Sequence, residues 1–274
     1  MKKLLTRTIT GIVLVLVMLT AILVGPYGFA VLFLLILVGG IAEFNKLYHQ
    51  SEIKPNQVLS YLISIVLFTL TFLIAQGILG FAFLFMLFPL FLIVMAAELY
   101  RKQEKPVENI ATTIFCIVYL AIPLSLINFL VFPALSTGNA YTPKLLIALI
   151  SLIWIYDSGA YLFGVSIGKH RLFERISPKK SWEGAIGGTL TAIAAAWAIG
   201  EFIPEIKTVH WVAISILTVI SSTFGDLTES MFKRHFGIKD SGHILPGHGG
   251  MLDRFDSLFF AVPVIVMYLK LMVE

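Results

Sequence analysis

Residues 208–256 read TVHWVAISILTVISSTFGDLTESMFKRHFGIKDSGHILPGHGGMLDRFD. The segment 208–231 is apolar and long enough to cross a bilayer, which takes about 20 helical residues. Beyond it the chain gathers charge, histidine and glycine into one loop. Lys233, Arg234, Lys239 and Arg254 supply cations, Asp240, Asp253 and Asp256 carboxylates, and His235, His243 and His248 imidazoles. Gly237, Gly242, Gly247, Gly249 and Gly250 permit tight turns and leave backbone N–H groups bare. Asp226, Glu229, Ser230 and Lys233 fall at i, i+3, i+4 and i+7, which is one helix face. Asp253 and Asp256 are three apart at a predicted helix start, where the dipole favours carboxylates and bound phosphate alike. Carboxylates beside cations and glycines suggest a metal-bridged phosphate site. The plain alternative is a solvated loop between two spans; carboxylates running into the apolar flanks favour function.

Outward from this loop the chain is mostly apolar. Of its 274 residues 58% are hydrophobic and only 13% charged, against about a quarter charged in soluble domains. The expected fold is all-α, a polytopic membrane helical bundle. Apolar runs give nine candidate spans, at 8–24, 28–47, 58–75, 78–97, 110–132, 144–165, 183–203, 208–231 and 255–272. Met1–Val24 has the basic start and apolar run of a signal peptide but no small-residue cleavage site, so it is expected to stay as a first helix. The whole chain, 1–274, reads as one membrane domain. Residues 1–143 serve mainly as scaffold, and 144–274 form the catalytic half around the 230–256 loop.

Of the 20 lysines and arginines, all but Lys144, Lys207 and Lys270 fall on the side of the N-terminus. That asymmetry puts the N-terminus and the 230–256 loop in the cytoplasm. It also accounts for the net charge of +4 without nucleic acid as a partner. Cys116 is the single cysteine and can form no intrachain disulfide. Glu43, Asn45, Glu98 and Arg101 fall near helix ends, where snorkelling is the default expectation and a supporting role at the site the alternative. Gly39-Gly40 reads as helix packing, the Phe81–Phe91 run as lipid-facing, and Pro89 and Pro123 as tolerated within spans.

The sixth span carries Asp157 about eight residues, ~12 Å, from its predicted cytoplasmic end. A carboxylate that deep costs roughly 2.5–3.5 kcal/mol on insertion scales. It is either hydrogen-bonded to another helix or faces a polar cavity leading to a reaction site. Small residues Gly159, Gly164 and Gly168 allow close helix approach there, and Gly184 and Gly188 form a packing pair in the next span. Between the two, residues 165–182 interleave Leu172, Phe173, Ile176 and Trp182 with five cations, which suits an interfacial segment. Ser177 can N-cap a short helix with Pro178 at its first position, presenting Lys179 and Lys180. The lysines serve either the charge asymmetry alone or an anionic lipid or triphosphate. The P-loop, zinc-ligand and GxSxG patterns are absent.

Ser230, Lys233-Arg234, Lys239-Asp240, Pro246, His248-Gly249-Gly250, Asp253-Arg254 and Asp256 resemble the signature of the bacterial phosphatidate cytidylyltransferases, also called CDP-diacylglycerol synthases. Ser177-Pro178-Lys179-Lys180-Ser181-Trp182-Glu183-Gly184 is similar to that family's upstream motif. The resemblance is sharp over the last 120 residues or so; before Trp154 it rests on hydropathy alone.

The resemblance implies an enzyme that joins CTP and phosphatidic acid into CDP-diacylglycerol and pyrophosphate in a bacterial cytoplasmic membrane. It implies magnesium, leaves room for a second, monovalent cation such as potassium, and suggests a homodimer. On that reading Asp226 and Asp253 are first to hold magnesium, with Asp256 third. Lys233, Lys239, His248 and Arg254 act on phosphate at the reacting centre. Ser177, Lys179, Lys180, Arg234, Asp240, Gly247, Gly249, Gly250 and Asp157 bind substrate. Two other readings stay open: a CTP-dependent lipid or isoprenoid alcohol kinase, and a transporter with Asp157 and Asp226 on an ion path.

Overall fold

The computed structural model describes residues 2–49, 51–133, 140–238, 240–242 and 249–273, with side chains from residue 9 onward. Lys239, Gly247 and His248, together with His243 and Pro246, lie outside the described residues. The chain forms α1 (Lys2–Val24), α2 (Pro26–Leu47), α3 (Gln57–Ala75), α4 (Leu87–Arg101), α5 (Pro106–Cys116), α6 (Ile122–Leu126), α7 (Asn128–Val131) and α8 (Lys144–Ile167). A two-stranded hairpin of β1 (Arg171–Phe173) and β2 (Ser177–Ser181) comes next, then α9 (Trp182–Phe202), α10 (Thr208–His235) and α11 (Leu252–Met272).

Among the described residues eight helical stretches are long and apolar enough to cross a membrane, two of them (Phe81–Arg101 and Pro106–Val131) made of consecutive elements, and Ile9–Val24 is a shorter apolar helix. They coincide with the nine expected spans, and the chain is a polytopic helical membrane protein. Large apolar side chains such as Leu16, Val24, Phe85, Phe88 and Tyr100 are exposed, as expected where lipid is the solvent. The phenylalanine-rich run is lipid-facing, as its composition suggests. It begins as a 3₁₀ stretch, Phe81–Met86, before α4, and Val94 and Glu98 are the buried residues of α4 itself. Pro123 leaves its mark on the fifth span, which widens into a π turn at Ile117–Ala121. Proline has no N–H and its ring crowds the carbonyl four residues back, so the ladder shifts by one residue there.

The chain divides into two compact units, residues 1–141 with 240–254, and residues 142–239 with 255–274. In the first, Glu98 does not snorkel. It is buried, takes Arg101 Nη1 at 2.7 Å and accepts from Asn109 Nδ2 at 2.7 Å. Asn109 Oδ1 in turn accepts from Lys54 N at 2.6 Å, and Thr113 Oγ1 from Asn56 N at 2.8 Å. The network satisfies the backbone at the entry to α3.

In the second unit α8 and α9 pack through their glycines. A Cβ on Gly188 would meet the Tyr156 carbonyl at 2.8 Å, and one on Gly184 the Ala160 carbonyl at 2.6 Å. A Cβ on Gly159 would meet Gly188 Cα at 3.1 Å. Backbones this close account for the small residues at these spacings. Tyr156, Ala192 and Val219 form the apolar centre between α8, α9 and α10.

The segment 165–182 departs from expectation. Ser177 caps no helix; it opens β2, which pairs antiparallel with β1 in the register Arg171↔Ser181 and Phe173↔Ser177. The residue before a proline is biased away from the helical region toward extended backbone, which favours a strand at Ser177. The N-cap belongs to Ser181, whose Oγ accepts from Gly184 N at 3.2 Å. Trp182 N donates to the His170 carbonyl at 2.9 Å, so the hairpin is tied to the start of α9.

Candidate active site

The hairpin decides where the lysines go. Along β2, Pro178 and Lys179 are exposed, Lys180 is half-buried and Ser181 is buried. Lys180 Nζ thereby reaches Asp226 Oδ2 on α10 at 2.5 Å. Ser230 Oγ, one turn on, donates to Asp226 Oδ1 at 3.3 Å. These contacts border a cavity of about 670 Å³ in the second unit, whose wall includes Asp157, Gly164, Arg171, Ser177, Lys179, Lys180 and Asp226. Asp157 is one of the residues lining this cavity. Beside it, Tyr156 reaches past the cavity wall to pair its hydroxyl with Thr223 Oγ1 at 2.6 Å.

A third carboxylate joins from α11. Gly225 lets α10 lie directly on the chain at Asp256, where a Cβ would sit 2.5 Å from the Asp256 carbonyl and 3.1 Å from Ser257 Cα. Asp256 lies within electrostatic range of Asp226, Asp157 and Lys180. Its own Oδ1 accepts from Ser257 N at 2.6 Å. Carboxylates near one another with a single ammonium group for balance attract a cation.

Among the described residues no group of three or more His, Cys, Asp or Glu side chains is gathered as a ready metal cage. The donor set still fits magnesium, which takes one or two carboxylates and completes its shell with water and phosphate oxygens. Asp226 and Asp256 are the pair of that kind within this unit. Further along α10, Lys233 is ion-paired with Glu229 within its own helix, and Arg234 is exposed. The predicted face of Asp226, Glu229, Ser230 and Lys233 is therefore real, and it is wired by its own side chains.

In the first unit the two described ends of the glycine-rich loop meet at Asp253. Its Oδ2 accepts from Gly250 N at 2.7 Å, Ser241 N at 3.0 Å and Ser241 Oγ at 3.0 Å. Gly249 has φ +83°, and a Cβ there would sit 2.5 Å from Asp253 Oδ2, so both shape and backbone require glycine. Asp240 and Arg254 are exposed in the same region. Glu43 on α2, read from sequence as a helix-end residue, is buried against this loop. The other residues missed by sequence reading are Gly225, Arg171 and the Tyr156–Thr223 pair. A glycine inside a helix costs about 1 kcal/mol relative to alanine; that cost next to Asp226 was the available signal for Gly225.

Helical spans around a cavity walled in part by Asp157, Lys180 and Asp226 define a membrane-embedded helical protein with a charged cavity. The sequence pattern of the cytidylyltransferase family matches residues 5–272, and the chain belongs to that family. A phosphatidate cytidylyltransferase of Haemophilus influenzae is 48% identical over 124 residues, 43% of this chain and 43% of the relative. One from Staphylococcus aureus is 48% identical over 116 residues, 42% of this chain and 44% of the relative. The matched stretch thus spans less than half the length of these curated relatives.

Proposed function

We propose that the chain transfers the cytidylyl group of CTP to phosphatidic acid, giving CDP-diacylglycerol and pyrophosphate. The observation that carries this is the Lys180–Asp226 contact on the wall of a cavity that also takes Asp157 and Arg171. An oxygen of the lipid phosphate attacks the α-phosphorus of CTP, a new P–O bond forms, and the bond to the β-phosphate oxygen breaks as pyrophosphate leaves. The attacking phosphate is anionic near neutral pH, so no strong base is required. The barrier is chiefly electrostatic, because two polyanions meet and charge moves onto the leaving group.

Lys180, held by Asp226, supplies a fixed cation at the cavity wall, and Arg171 and Lys179 supply exposed ones. Asp226 and Asp256 would hold magnesium in the second unit, and Asp253 contributes the carboxylate that orders the glycine-rich loop. When bound, the ion neutralises phosphoryl oxygens and supports the departing pyrophosphate. Lys239, Gly247, His248, Arg254 and the N–H of Gly249 are assigned to phosphate on the strength of the family signature, whereas the N–H of Gly250, expected to be bare, is taken by Asp253 Oδ2. A monovalent cation and a homodimer belong to this reading on the same ground.

The setting is a bacterial cytoplasmic membrane with the site on the cytoplasmic face, an orientation supported by the distribution of lysine and arginine. Tyr161 and Val165 line the cavity yet are largely exposed on α8, which supports an opening sideways toward lipid tails. The test is purified protein supplied with labelled CTP, phosphatidic acid and magnesium. CDP-diacylglycerol and pyrophosphate are expected; release of CDP with a phosphorylated lipid alcohol would instead indicate a kinase.

A further inference from the structure

The first unit holds a cavity of its own, about 600 Å³, whose wall includes Asn45 of α2, Lys54, Gln57 and Val58 at the entry to α3, and Arg101 at the end of α4. Among the described residues no carboxylate lines it. Its two cations are held in place. Lys54 N donates to Asn109 Oδ1 at 2.6 Å, and Lys54 Nζ to the His49 carbonyl at 2.9 Å. Arg101 Nη1 is held by the buried Glu98 at 2.7 Å. Glu98 offsets part of the Arg101 charge, so the positive surplus rests on Lys54 and on the start of α3. Asn56 caps that start, its Oδ1 accepting from Leu59 N at 3.2 Å and its carbonyl from Ser60 N at 2.9 Å. The N–H groups of Gln57 and Val58, the first two of a 19-residue helix, have no partner among the described residues. Such groups, with the helix dipole behind them, favour an anion.

Asn45 points the same way from across the cavity wall. It is 5% exposed, and its Nδ2 and Oδ1 make no hydrogen bond among the described residues. The Tyr61 hydroxyl lies near the amide but does not meet it in hydrogen-bonding geometry. A buried amide left unmet costs about 1–3 kcal/mol, and a ligand oxygen in the cavity supplies the acceptor it lacks. We propose that this cavity binds the phosphate of an anionic phospholipid, met by Lys54 Nζ, the Arg101 guanidinium and the N–H groups of Gln57 and Val58. Inorganic phosphate presents the same oxygens; acyl chains separate the two. Val58, Leu62 and Ile65 fall at i, i+4 and i+7 and are 73%, 44% and 38% exposed, an apolar stripe that starts at the cavity and runs along α3. A headgroup seated at the helix start lays its tails along that stripe. Lys54 and Arg101 also fall on the side rich in lysine and arginine, where the leaflet surface is negatively charged.

The test is native mass spectrometry of the purified full-length chain in detergent, titrated with dioctanoyl phosphatidylglycerol, dioctanoylglycerol or inorganic phosphate. Phosphatidylglycerol should bind more tightly than inorganic phosphate. Lys54→Gln should weaken the first phosphatidylglycerol bound by ~10-fold, the scale of one lost hydrogen bond to a charged group. Gln57→Pro deletes a single N–H at the first helical position, which proline tolerates, and the extended backbone of Asn56 suits a following proline. It should weaken the same lipid ~3-fold. Dioctanoylglycerol, which has the tails without the phosphate, should bind wild type and variants alike. Should one variant fail to elute as a monodisperse species, the other carries the test. Unchanged phosphatidylglycerol binding in folded Lys54→Gln overturns the site, and unchanged binding in folded Gln57→Pro overturns the part of the helix start in it. Dioctanoylglycerol that loses affinity in step with phosphatidylglycerol overturns the recognition of phosphate. Inorganic phosphate that binds as tightly as the lipid, with the same loss in both variants, overturns the lipid as occupant. The readout is binding and not turnover, so its outcome is separate from that of the reaction proposed above.

Discussion

Lys180 and Asp226 meet at 2.5 Å across two elements of unlike kind, a surface hairpin and a membrane helix. The pair is partly exposed at both ends, so screening limits what it adds to stability. Its consequence is positional: the ammonium group is held at the cavity wall before substrate arrives. Lys180→Met should therefore lower kcat/KM ~10²-fold, the usual loss when one fixed donor to a developing charge is removed. Lys180→Met combined with Asp226→Asn should cost much less than the product of the single losses, because the groups act as a unit. Steady-state kinetics on the four proteins checks this, and strictly multiplicative losses would contradict it.

Gly225 makes a second test of the same site from the backbone side. Alanine there must push α10 off the carbonyl of Asp256, 2.5 Å from its Cβ. Overpacking of this kind costs about 1–3 kcal/mol, and it also parts Asp226 from Asp256. Gly225→Ala should lose most turnover and melt earlier in detergent. Gly80→Ala, where a Cβ meets nothing within 4 Å, should match the wild type in both. Full activity in Gly225→Ala would mean that the two carboxylates need not be close.

The fold was legible because lipid imposes a simple pattern. Apolar runs of bilayer length had to be helices, and eight long ones and a shorter one are found where hydropathy placed them. Asp157 and Asp226 were legible for a related reason: a charge so deep needs a partner. The hairpin at 171–181 was not legible, because Ser177-Pro178 satisfies the rules for a helix start and those for extended backbone equally well. Only the pairing with Arg171–Phe173, a contact made in three dimensions, selects the strand. Glu43 was misread for a similar reason. Nothing within ten residues of it hints at the loop nearly 200 residues away that it touches.

The proposed reaction sets a nucleotide requirement. CTP or dCTP should support turnover, and ATP at equal magnesium concentration should be a poor substitute. Competition assays with labelled CTP and unlabelled ATP, dCTP and UTP measure the preference. Equal rates with ATP and CTP would rule out a cytosine-reading site.

Orientation is testable with introduced thiols. Cys116 is fully buried, so it should stay silent toward a membrane-impermeant reagent. Gln103 and Pro204 are both exposed, and the distribution of lysine and arginine puts them on opposite sides. Gln103→Cys should react only once the cytoplasmic face is opened, and Pro204→Cys should react from outside in intact cells. Labelling of both from the same side would refute the orientation.

The metal assignment makes the strongest demand on the site. Asp226 and Asp256 are brought together by Gly225, with Asp157 in electrostatic range and Lys180 as the near cation. Asparagine keeps the size of each side chain and removes the charge that draws magnesium. Asp226→Asn and Asp256→Asn should each abolish most turnover while expression and monodisperse elution persist. Their residual activity should need a higher magnesium concentration, since a ligand has been weakened rather than the nucleotide site. Asp253→Asn should also lose most turnover. Its Oδ2 orders Ser241 and Gly250, so part of its loss should appear as faster loop proteolysis, which the other two should not show. Lys144→Gln serves as control: Lys144 pairs with Glu205 at 2.7 Å with both side chains about half exposed, a contact worth about 0–1 kcal/mol. It should leave turnover and the magnesium titration unchanged. A well-folded Asp226→Asn or Asp256→Asn protein with wild-type magnesium dependence would take that carboxylate out of the metal site.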